Sequence, residues 1–260
     1  MAGQVYTRKK GQLGWLIFDH PERRNAISVA MWRQIPAALQ QLADDDEVRV
    51  VIMRGGGDIA FVSGADISEF QASRTGEAAK LYDADNARAF AALTNLQKPL
   101  IAMIHGFCVG GGVAIALAAD LRYADTDAVF AIPAARLGLG YHMIPLEALT
   151  NVVGFSAAKE IFFTARRFQA REALRMGLVN NIVPKAELEH LVRDTAQRIA
   201  ENAPLTVRSV KLIVRELMRP PSERDLQAVA ASIDACFGSE DYADGVRAFL
   251  EKRRPRFRGR

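Results

Sequence analysis

The chain has 260 residues, half of them hydrophobic and a quarter charged, enough to bury roughly three quarters of its unfolded surface without disulfide or metal. Its two cysteines, Cys108 and Cys236, exclude a disulfide scaffold and a cysteine-rich zinc site and suit a reducing compartment. The net charge is +4, but the last ten residues, EKRRPRFRGR, hold six basic side chains and one acid, so the other 250 sum to −1; a general nucleic-acid binder would spread its basic face over the fold.

In chain order, Gln12 to Asp19 is apolar and β-rich and ends at His20-Pro21, a strand followed by a turn. Ser28 is placed to cap a helix whose Met31, Ile35, Ala38, Leu39 and Leu42 share one face. Asp44 to Glu47 reads as a loop, and Val48 to Arg54 as a buried strand. Gly55-Gly56-Gly57-Asp58 then breaks the chain before FVSGADI (Phe61 to Ile67). A polar helix is expected from Gly76 to Leu96, ending before Lys98-Pro99.

Leu100 to Gly106 is the next buried strand, turning through FCVGGG into VAIALAAD, a helix too small and apolar for the surface. LRYA and Val129 to Ile132 read as strands, and the rest is mostly helical apart from a strand at Val179 to Val183. Sheet and helix therefore alternate, which is α/β architecture. Residues 1–200 are expected to form the core and 201–260 a helical lid or assembly arm. The opening residues carry no apolar signal core, and no 18-residue apolar run occurs, so the expectation is a soluble, cytoplasmic protein.

Phosphate-cradling GxGxxG and GxxxxGK[ST] motifs are absent, as is GxSxG. The four histidines are scattered, so no metal site is expected. What stands out is Gly110-Gly111-Gly112, between a buried strand and a buried helix. Its plainer reading is a tight turn with close packing; the functional one is bare amides facing an anion or a developing oxyanion. FVSGADI is by itself an ordinary capped turn, with Asp66 the cap, yet Ser63-Gly64 would bare the amides of Ala65 and Asp66. Two such turns could converge on one oxygen.

Together RRNAIS, FVSGADI, KPLIAMIHGFCVGGG, FAIPAARLGLG, EALRMGLVNNIVP and FLEKRR resemble the crotonase (enoyl-CoA hydratase/isomerase) superfamily from about Val5 to Arg256. The resemblance implies a spiral of ββα units, a C-terminal helical trimerisation region, and homotrimers or hexamers built as dimers of trimers. It also implies a coenzyme A thioester substrate, coenzyme A entering only as part of that substrate, with no separate cofactor, nucleic acid or membrane. The thioester oxygen would lie between the N–H groups of Ala65 and Gly111. The Ala65-Asp66-Ile67 backbone would take the adenine end of coenzyme A, Arg24 its phosphates, and Phe249 and Lys252 the coenzyme of a neighbouring subunit.

Hydratases of the superfamily carry two glutamates where this chain has Ala114 and Ala134. Neither alanine can transfer a proton, and such help is typically worth about 10²–10⁴-fold. Tyr141 and His142 are the candidate replacements; Arg136 reads as a salt-bridge residue, Asp120 as structural and Glu147 as solvent-facing. The Tyr141 block also resembles members that decarboxylate methylmalonyl-CoA. The expected function is therefore enolate chemistry of the enoyl-CoA hydratase/isomerase type. The alternatives are a malonyl-type acyl-CoA decarboxylase and a catalytically silent acyl-CoA-binding protein.

Overall fold

Strand pairs separated by helices set the architecture of the computed structural model, which describes residues 2–260. The chain runs β1 (Gln4–Lys10), β2 (Leu13–Asp19), α1 (Val29–Asp44), β3 (Val50–Gly55), β4 (Ala60–Val62), α2 (Phe70–Ser73) and α3 (Gly76–Asn95). It continues with β5 (Leu100–Ile104), β6 (Phe107–Val109), α4 (Gly111–Leu117), β7 (Leu121–Asp125), β8 (Val129–Ala131) and α5 (Met143–Thr164), the last kinked at Gly154. Then come β9 (Phe168–Gln169), α6 (Ala170–Arg175), β10 (Asn181–Val183), α7 (Lys185–Ala200), α8 (Pro204–Leu217), α9 (Leu226–Phe237) and α10 (Glu240–Leu250).

A larger sheet has the order β1-β2-β3-β5-β7-β10 and a smaller one β4-β6-β8-β9. Each turn of the chain leaves one strand in each sheet: β3 then β4, β5 then β6, β7 then β8. Neighbours within these series are parallel, and the antiparallel pairs are β1 with β2 and β8 with β9. This is the spiral of ββα units that the resemblance implies.

The central strands of the larger sheet are apolar on both faces because both are covered. Leu16, Phe18, Val51, Met53, Ala102 and Ile104 point into the main core with α1, α3 and α4. Trp15, Ile17, Val50, Ile52, Ile101 and Met103 form a second core under α7, which supplies Leu188, Val192, Ala196 and Ala200. Ser28 caps α1 by accepting from the Met31 amide at 3.2 Å, and its expected face is buried.

Three local readings shift. β1 went unread because its RKK end is charged, as suits an edge strand. FCV, expected as a turn, pairs as β6 between β4 and β8. The strand expected at Val179 begins at Asn181, since Leu178 and Val179 are buried in the preceding turn. No helix among the described residues is long and apolar enough to cross a membrane, and both cysteines are free.

Candidate active site

The site starts from a one-residue strand. Ile27 donates to the Gly64 carbonyl at 2.8 Å and accepts from the Asp66 amide at 2.9 Å, a parallel bridge opposite Ala65. In that pattern Ile27 uses the groups on either side of Ala65, so the Ala65 N–H points to the opposite side. There it meets the start of α4: a Cβ built on Gly111 would lie 3.6 Å from the Ala65 nitrogen. Neither the Ala65 nor the Gly111 amide has a hydrogen-bond acceptor among the described residues. Gly111 is the first residue of its helix, where no intrahelical partner exists.

The glycine triplet serves three purposes. Gly110 has φ 53° and ψ −114°, a conformation side chains avoid, and its amide donates to Ala131 of β8 at 2.8 Å. Gly112 sits so close to β4 that a Cβ would fall 2.1 Å from the Val62 carbonyl oxygen. Gly110 has space for a Cβ but its φ disfavours one, so of the three only Gly111 has both the space and an ordinary φ, and that space lies beside the Ala65 amide. The plainer reading therefore holds for Gly110 as a tight turn and for Gly112 as close packing, while Gly111 faces an unpaired donor.

Asn25 carries much of the scaffold. It is buried, accepts from the His20 amide at 2.9 Å, and donates to the carbonyls of Gly56 at 2.9 Å and Ala60 at 2.7 Å. Its signal in the sequence was only its place beside Arg24. Arg24 itself is exposed, with its guanidinium 4.7 Å above the Phe107 ring. Its carbonyl accepts from Ser63, so it borders the same turn as Ala65.

Asp66 caps the following helical turn, accepting from the Ser68 amide at 3.0 Å and hydroxyl at 2.6 Å. Burial opposes its ionisation, but the Ser68 hydrogen bonds and the nearby Arg23 outweigh it and hold the carboxyl below its ordinary value. Ile67 is exposed. Arg24, Ala65, Asp66, Ile67 and Gly111 thus share one neighbourhood, although the first and last are 87 positions apart.

Other candidates lie on different elements. Ala114, on α4, and Ala134, in the helical turn after β8, are both buried. Tyr141 packs edge-on against Phe162 at 4.6 Å, and burial pushes its phenol up to about 12, so it stays protonated near neutrality. His142 is exposed at the start of α5, with its Nε2 3.9 Å from Asp83. Arg136 and Glu147 are exposed. Asp120 is structural, accepting from the Leu100 amide and from Lys211, each at 2.7 Å.

Phe249 lies in the last turn of α10 and Lys252 just beyond it, and neither shares a hydrogen bond or ion pair with the Ala65–Gly111 region among the described residues. The basic tail folds back rather than hanging free. Asp241 accepts from the amides of Arg258 and Gly259, and Asp244 pairs with Arg253 at 2.6 Å.

A family model described as enoyl-CoA hydratase/isomerase matches residues 8–260. The chain belongs to that family. It is 34% identical over 250 residues to a short-chain-enoyl-CoA hydratase of Clostridium acetobutylicum, spanning 96% of this chain and 95% of that protein. It is equally 34% identical, over the full length of both, to a carnitinyl-CoA dehydratase of Salmonella typhi. Among solved structures, an enoyl-CoA hydratase/isomerase family protein from Hyphomonas neptunium superposes with a TM-score of 0.94 at 37% identity, over 98% of each chain. As an enoyl-CoA hydratase/isomerase family member, the protein has the crotonase fold, and its family acts on acyl-CoA substrates.

Proposed function

We propose that the protein is an acyl-CoA enzyme in which the Ala65 and Gly111 amides form an oxyanion hole. The observation that carries this is the pair of unpaired N–H groups brought side by side by the Ile27 bridge and the start of α4. Reactions beside a thioester carbonyl pass through an enolate, and two preorganised donors stabilise its oxygen. Losing one donor of this kind typically costs about 3–4 kcal/mol. Main-chain amides do not titrate at working pH, so this part of the machinery is independent of the side chains that choose the reaction.

Arg24, Asp66 and Ile67 flank the pair and would hold coenzyme A. The exposed apolar surface of α8–α10, with a groove of about 600 Å³ lined by Val210, Ile233, Phe237 and Val246, fits assembly into trimers or hexamers. Such assembly would bring Phe249 and Lys252 to a neighbour's coenzyme. The reading places the enzyme in the cytoplasm.

Hydration or isomerisation of an enoyl-CoA then proceeds without the usual glutamates, Tyr141 being the protonated phenol next in line as donor. The Tyr141 block supports a second reaction on the same scaffold, decarboxylation of a malonyl-type acyl-CoA. That reaction needs the oxyanion hole, a way to orient the carboxylate and little acid–base machinery, since carbon dioxide leaves and the resulting enolate takes up one proton from solvent. The test follows crotonyl-CoA, a longer enoyl-CoA and methylmalonyl-CoA in parallel, with wild type, Tyr141→Phe and His142→Ala. Hydration lost in Tyr141→Phe names the donor, whereas loss only in His142→Ala transfers the role. Carbon dioxide release without hydration selects decarboxylation, and binding without turnover of any ester marks a silent acyl-CoA-binding protein.

A further inference from the structure

The space beside the two free amides is bounded by an aromatic side chain that no motif pointed to. Trp32, on α1, is 2% exposed, and its Cζ2 lies 3.8 Å from where a Cβ on Gly111 would sit. That same point is 3.6 Å from the Ala65 nitrogen, so any group seated at the amides is within reach of the indole edge.

Several contacts fix the indole in place. Its Nε1 donates to the Tyr82 hydroxyl at 3.3 Å, and Phe90 leans on it with ring centroids 5.5 Å apart. The far side of Tyr82 is covered by the Arg74 guanidinium, 4.4 Å from its ring centre. Buried Asp85 ties α1 to α3 by pairing with Arg33 at 2.7 Å and with Arg88. Glu69 ties the segment after Asp66 to α1 by accepting from the Val29 amide at 2.7 Å. Swinging the indole aside would break a buried hydrogen bond and open a packed interface, so the wall is stiff.

We propose that Trp32, positioned by Tyr82, is the specificity-determining wall of the acyl subsite and restricts the enzyme to short acyl groups of the butyryl class. This rests on the reading that a thioester oxygen sits between Ala65 and Gly111. An acyl chain that runs from that oxygen toward α1 meets the indole edge within its first few carbons.

The test measures equilibrium binding of saturated, non-reacting butyryl-, hexanoyl- and octanoyl-CoA to the full chain, so its outcome does not depend on turnover. A pocket open along its length gains about fourfold in affinity for each buried methylene. The wild type is expected to gain nothing from butyryl to octanoyl, whereas Trp32→Leu gains about tenfold or more over the same span. Tyr82→Phe, which keeps the ring but frees the indole N–H, shifts the ratio the same way by less, and carries the test if Trp32→Leu fails to fold. General destabilisation would weaken all three esters alike and leave their ratio unchanged. Affinity that climbs with length in the wild type, or a ratio unaltered in the variants, overturns the wall and leaves the acyl-CoA reading standing. Failure of every ester to bind, butyryl-CoA included, overturns that reading and the wall with it.

Discussion

The Ala65–Gly111 junction and the C-terminal tail are both places where distant segments meet, yet different forces order them. At the junction the contacts are main-chain hydrogen bonds and glycine-permitted approaches. At the tail, carboxylates gather the chain: Asp241 holds the Arg258 and Gly259 amides, while Asp244 holds Arg253 and the Arg256 amide. The Arg253 hydrogen bond, then that amide, draw the Asp244 carboxyl down to about 2. The difference teaches where added salt should loosen the contacts that order the chain: at the tail's ion pairs, not at the junction's main-chain hydrogen bonds.

The comparison breaks most clearly at Gly111. Gly111→Pro removes one N–H at a helix position where proline is tolerated, and is expected to lower turnover by about 10²–10³-fold. Gly111→Ala, which has space for its Cβ and keeps the N–H, separates the loss of the donor from crowding. Equal activity of Gly111→Pro and wild type would remove the amide pair from the mechanism.

Next in size is the scaffold behind it. Asn25→Ala strands the Gly56 and Ala60 carbonyls and the His20 amide. It should cost about 3 kcal/mol of unfolding free energy, measured by denaturant titration. A loss below a few tenths would show that the turn is held by other means.

His105 gives a comparable but pH-dependent effect. Burial first, then Arg54 and Lys185, lower its pKa from 6.5 to about 4, and its Nε2 is unpartnered. The unfolded chain therefore binds more protons between those values, and stability rises with pH from about 4 to 6.5, in total by on the order of 3 kcal/mol. His105→Asn should flatten that rise; an unchanged slope assigns it elsewhere.

At the tail, Asp241→Ala should cost about 1–3 kcal/mol and speed tryptic cleavage after Arg256 and Arg258, with the junction's chemistry intact. The smallest effect is chemical: burial pushes the Cys108 thiol far up, so a thiol reagent at mildly alkaline pH should modify Cys236 and spare Cys108. Labelling of Cys108 in the native protein would show that β6 opens readily.

What the sequence determined by itself was local. Ser28 as a cap, the apolar face of α1, the helix from Gly76 and the runs of β3 and β5 were legible because a cap spans three residues and a periodicity repeats within one element. The glycine triplet and FVSGADI were legible as turns, and the crotonase resemblance supplied the expectation that they cooperate. Only the tertiary structure decided how. The free direction of the Ala65 amide depends on Ile27, and its distance from Gly111 on the pairing of β4 with β6. Trp32 belongs to no motif and is not among the residues that the spacing places on the apolar face of α1, and its place at the amides depends on how α1 packs against α3. β6 was hidden for the same reason, since three residues flanked by glycines become a strand only when β4 and β8 hydrogen-bond to them. Parallel neighbours are joined by long crossovers, so their register is set by packing between remote segments and leaves no periodic trace in the chain.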